Sequence, residues 1–178
     1  VIQRSSTYGV QVEKGNNNKF IGLVLRENSG GGFALENNDV YSVWSTTGTA
    51  PNDYSPQATT TADGNNNIII DTVAYFNNEC TNVLGCAATD AMADGIGMWS
   101  GIGNKAIHNT AMNNADQGID SFVSYQTVLE RNELFRNGYH PTTGVLLGNR
   151  SDGILAGSDY QKKPLQCQII VRDNKAHN

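Results

Sequence analysis

Charge is scarce in this chain. Of 178 residues only 16% are Asp, Glu, Lys or Arg, and the net charge is −5. The isoelectric point is near 5.0. An acidic, weakly charged surface makes a poor nucleic-acid partner, because phosphate neutralisation needs clustered Lys and Arg. Long apolar runs are missing too, so nothing reaches the length of a membrane-spanning helix. Cysteine is limited to Cys80, Cys86 and Cys167. Their spacing is not that of a zinc site. Cys80 and Cys86 bracket a short loop that a disulfide can close, which would place the protein outside the cytoplasm; the alternative is three reduced cysteines. No leader peptide is visible, and neither terminus reads as an amphipathic helix that would cap a stacked fold.

Uncharged polar residues and glycine fill the space that charge leaves, and the mean hydropathy is −0.41. Their order carries a repeat. Gly95-Ile96 and Gly118-Ile119 lie 23 residues apart (118 − 95), as do Asn109 and Asn132 (132 − 109). Gly9-Val10 and Gly32-Phe33 are again 23 apart (32 − 9). Two markers that keep phase at a period in the low twenties predict a solenoid of short strands. The asparagine register reads Asn28, Thr72, Asn109, Asn132 and Asn174, with Leu25, Ile69, Ala106, Leu129 and Val171 three residues before. One residue before each stands Glu27, Asp71, His108, Arg131 or Asp173. A second asparagine follows five residues later at Asn77, Asn114 and Asn137. Apolar inward, charged outward and Asn at a bend describe a short strand ending in a corner. Asn suits such a corner because it tolerates the left-handed region and bonds backbone locally. Stacked on successive coils, its amides can form a ladder.

The expected fold is all-β: a right-handed, single-stranded parallel β-helix of about 23 residues per coil and about five to seven coils. Residues 1–178 form one domain, either a piece of a longer chain or a subunit whose ends stack on neighbours. Insertions are expected near 37–66, 78–92 and 149–165. Gly32 and Thr72 are 40 apart where the template needs 14, and the first insertion carries Tyr41, Trp44 and Tyr54. Trp44 can stack on a sugar ring or pin the loop to the flank.

Three carboxylates stand out: Asp94 before Gly95, and Asp116 and Asp120 around Gly118. Residues one period apart stack about 4.8 Å apart, and carboxylates gathered at one point suit Ca²⁺. The competing reading is that Asp before Gly is simply a turn. The run Asp94-Gly95, Asp116-Gln117-Gly118-Ile119-Asp120 and Gly144-Val145-Leu146-Leu147-Gly148 resembles the right-handed β-helix polysaccharide lyases of family 9, the pectate lyases. In that family an Asp-Gly on one coil, an Asp-Asp-Gly-x-Asp on the next and a Gly-Phe-Lys-Leu-Gly strand bind Ca²⁺ and supply a lysine base. The resemblance implies a secreted or cell-surface protein that meets polysaccharide, with Asp94, Asp116 and Asp120 as the Ca²⁺ ligands. If it is an enzyme, the reaction is β-elimination on a uronate polymer. Two positions depart from the pattern: Gln117 replaces a ligand, and Leu146 replaces the base. Arg150, His140 and Arg131 are the substitutes within reach of the sequence for catalysis. Arg131, Arg136, Arg150 and Trp44 are the candidates for holding sugar. The alternative function is structural, a filament or surface-coat unit that associates end to end. Asn149-Arg150-Ser151 also matches a glycosylation signal.

Overall fold

The computed structural model describes residues 1–36, 64–78, 93–99, 101–122, 124, 126–139, 153–157 and 169–177. Trp44, Cys80, Cys86, His140, Gly144, Leu146, Arg150 and Cys167 lie outside them. Among the described residues every element is a β-strand, every pairing is parallel, and the strands form three sheets that the chain visits in turn. The first sheet stacks β1 (Ile2–Gln3), β4 (Val24–Arg26), β7 (Val73–Tyr75), β10 (Thr110–Met112), β13 (Glu133–Phe135) and β16 (Lys175–His177). The second stacks β2 (Tyr8–Glu13), β5 (Gly31–Glu36), β8 (Ile96–Trp99), β11 (Ile119–Phe122) and β14 (Ile154–Gly157). The third stacks β3 (Lys19–Ile21), β6 (Ile68–Ile70), β9 (Lys105–Ile107), β12 (Val128–Glu130) and β15 (Ile170–Arg172). This is the expected parallel β-helix.

Away from the outermost described coils, each three-residue strand buries its middle side chain and turns the other two outward. Leu25, Ile69, Ala74, Ala106, Ala111, Leu129 and Leu134 fill the interior this way, beside Phe33, Leu35, Ile96, Met98 and Ile119 of the second sheet. Burying a Leu or Ile side chain contributes about 1.5–3 kcal/mol, which Leu25, Ile69, Leu129 and Leu134 supply, while Ala74, Ala106 and Ala111 bury less apolar surface.

The corners correct the sequence reading. Asn28 belongs not with Thr72 and Asn109 but with Asn77, Asn114 and Asn137. The other column runs Thr72, Asn109, Asn132 and Asn174. Its place on the preceding coil is taken by Leu23, whose carbonyl accepts the Val73 N–H. A third column, Asn18, Asn67 and Asn104, stacks at the next corner. The left-handed residue is not the asparagine. It is the residue before: Glu27, Asp71, His108, Arg131 and Asp173 all have φ between 53° and 56°. The bend residue turns the chain while the asparagine side chain enters the wall.

Insertions leave this register intact. Paired residues are 23 apart where coils are plain, but 49, 37 and 42 apart elsewhere. Those coils carry 26, 14 and 19 extra residues (49 − 23, 37 − 23, 42 − 23). The first insertion ends before Asn65, which already bonds Asn16 and Asn17. The third, expected at 149–165, contains strand β14, so the extra residues fall on both sides of it. The second sheet is the one that all three excursions adjoin.

Candidate functional site

The second sheet differs from its neighbours on its outward face. All six residues of β5 are buried, where the strands of the other sheets bury mainly the middle one. Register places Gln11, Ala34, Gly97, Asp120 and Leu155 in one outward row. Glu13, Glu36 and Trp99 stand in the next. The Trp99 indole is laid back over Gly97: a Cβ there would sit 2.7 Å from Trp99 Cζ2. Indole Nε1–H donates to Asp120 Oδ2 at 2.8 Å. The Tyr8 ring meets the indole edge-on at 5.7 Å and lies over Gly31, whose absent side chain leaves room for it. Glu36 is nearly buried in this row, and desolvation holds its carboxyl above the usual range; Glu13 pushes the same way, while a hydrogen bond with Gln11 opposes. The arrangement offers a half-covered aromatic surface bordered by carboxyl and amide groups.

The three predicted aspartates adjoin this face. The pitch is 23, so Asp94 stacks on Gln117, and its Oδ1 accepts the Gln117 N–H at 3.1 Å. Asp116 sits one position earlier, its N–H bonded to the Ala93 carbonyl. Asp120 is committed to Trp99. Among the described residues no three His, Cys, Asp or Glu side chains gather as a metal site would require.

The strand that follows β11 is also different from expectation. Ile119 pairs with Ile154 and Asp120 with Leu155. Gly153-Ile154-Leu155-Ala156-Gly157 therefore occupies the place assigned to Gly144–Gly148, and the residue beside Asp120 is Leu155 rather than Leu146. Neither leucine can accept a proton. Arg131 and Arg136 turn the corners on either side of β13 in the first sheet, with φ of 54° each. Arg131 is mostly exposed and lies 3.3 Å from Glu130. Neither arginine stands in the outward rows of the second sheet.

Sequence reasoning missed Tyr8, Glu36 and Trp99. The signal was present in Gly97: a glycine between apolar strand residues marks a close approach.

The fold defines a class, the parallel β-helix proteins. Among solved structures the chain is similar to the pectate lyase Pel9A, with a TM-score of 0.63 and 22% identity over 98% of this chain and 34% of that one. It is equally similar to a rhamnogalacturonan lyase, with a TM-score of 0.63 and 20% identity over 99% of this chain and 38% of that one. It thus spans little more than a third of the length of either. No protein-family model matches the chain, and no curated protein matches it. At these identities the likeness is one of fold.

Proposed function

We propose that this β-helix is an extracytoplasmic polysaccharide-binding domain whose contact surface is the outward face of the second sheet. The observation that carries the reading is the Trp99 indole held over Gly97 by Asp120. Apolar faces of sugar rings pack on aromatic faces, while carboxyl and amide groups accept and donate to sugar hydroxyls. The similarity in fold to two polysaccharide lyases supports the substrate class. Binding without β-elimination is the favoured form, because abstracting a proton next to a uronate carboxyl needs a base of tuned pKa, and Leu155 stands where the family pattern has lysine. Ca²⁺ is not required in this reading.

The test is retention on immobilised polygalacturonate together with ultraviolet absorbance of the eluate. Retention that persists in chelator, falls at least tenfold in Trp99→Ala, and yields no unsaturated product supports the proposal. Ca²⁺-dependent product formation that Asp116→Ala abolishes would replace it with a lyase.

A further inference from the structure

The first sheet carries a surface that the reading above leaves unused. Its outward row stacks Tyr75, Met112 and Phe135 on consecutive coils. The adjoining corner column stacks Phe76, Asn113 and Arg136, each bonded through its N–H to the next coil. The six form two parallel columns across three coils. Tyr75 and Phe76 meet edge-on at 5.5 Å. Phe135 continues into a stack with His177 at 5.4 Å. Phe76 is 41% exposed, the most exposed aromatic of the described residues. Arg136 is exposed and makes no ion pair among the described residues, whereas Arg4, Arg131 and Arg172 all do.

Two of these residues hold their places against conformational preference. Phe76 and Arg136 both have φ of 54°. A bulky residue in the left-handed region costs about 1–2 kcal/mol relative to its ordinary conformations. Asn113, in the same column with φ of 53°, is what such a corner favours.

We propose that this face is a second glycan-docking surface, on which a uronate polymer lies parallel to the solenoid axis. Tyr75, Phe76 and Phe135 take sugar faces, and Arg136 takes a carboxylate. The coil rise of about 4.8 Å is close to the length of one pyranose unit, so successive sugars meet successive coils. Charge decides between an acidic and a neutral chain: the Arg136 guanidinium, without an ion pair among the described residues, matches a planar carboxylate in a two-point bond. The inference rests on polysaccharide being the ligand class, but not on the second sheet being the site.

Affinity electrophoresis through gels containing polygalacturonate tests it, with dextran gels as the neutral control. The informative variant is Phe76→Asn combined with Arg136→Asn. Asn suits both corners, so its melting temperature should equal or exceed that of the parent. The expected result is retardation of the parent by polygalacturonate, at least a tenfold loss of apparent affinity in the double variant, and a smaller effect of dextran. Trp99→Ala runs beside it. A double variant that binds like the parent while Trp99→Ala does not overturns this inference and leaves the second-sheet reading standing. The reverse pattern supports the inference and removes that reading. A parent that neither polymer retards overturns both.

Discussion

A ladder asparagine is the most constrained residue in this molecule. Asn132 Oδ1 accepts both the N–H and the Nδ2–H of Asn109, at 2.9 and 3.0 Å. Its own Nδ2 donates to the Ala106 carbonyl and to Asn174 Oδ1. All of this takes place at 1% exposure. An unpaired buried polar group costs about 1–3 kcal/mol, and removing one amide strands groups on the coils above and below. Asn132→Ala should therefore destabilise by roughly 3 kcal/mol or more, read as a lower urea midpoint with an unchanged slope. Asn132→Asp should be nearly as harmful, since the carboxylate cannot donate to the Ala106 carbonyl. The sequence showed these residues by phase alone. It could not show that the left-handed φ falls one residue earlier, because Glu, His and Arg are not residues that advertise such a conformation. It also mis-assigned Asn28: the two columns lie five residues apart, and Leu23 hides the true member of the other.

At the scale of the element, the glycine that opens each strand of the second sheet sets how closely coils approach. A Cβ on Gly95 would lie 2.6 Å from the Gly118 carbonyl oxygen, 2.8 Å from Ala111 Cβ and 2.8 Å from Asn114 Nδ2. Gly32 and Gly118 are confined in the same way. The obstacles are backbone and ladder atoms, which cannot swing aside. Gly95→Ala should thus cost at least the 1–3 kcal/mol usual for overpacking, and it should weaken neighbouring coils. Hydrogen exchange of the Asn114 and Gly118 amides would report the loosening, and rates equal to the parent's would contradict it. The Gly-apolar pattern made these strands legible from sequence. The outward face was less so, because the reading matched Asp94 to Asp116 at a spacing of 22 when the wall repeats at 23. A shift of one residue is enough to turn an expected carboxylate cluster into an Asp-on-Gln stack.

At the scale of the whole molecule, the shortest ion pairs among the described residues join successive coils. Arg4 reaches Glu27, Arg172 reaches Glu130 and Lys175 reaches Glu133, each bond joining one turn of the solenoid to the next. These partners hold Glu27, Glu130 and Glu133 below the usual carboxylate range, the hydrogen bond being the largest cause in each case. Groups depressed in the folded state contribute stability that is present above the unfolded value, near 4.5, and that is lost as pH falls through the folded one. Glu36 acts in the opposite sense. Its raised value favours the protonated fold, so its contribution is full at low pH and disappears as pH rises through the folded value. Glu36→Gln should raise the melting temperature at pH 7 and leave it unchanged at pH 3. An equal shift at both would show that packing, not ionisation, governs the site.

Between Glu36 and Asn65 the chain adds 26 residues beyond a plain coil and still returns to the same rung (49 − 23). The wall therefore closes on the same rung around an insertion of this length. A foreign domain with neighbouring termini, spliced between residues 36 and 64, should ride on the scaffold as a pendant without altering its pitch, which makes this β-helix a natural carrier for grafted cargo.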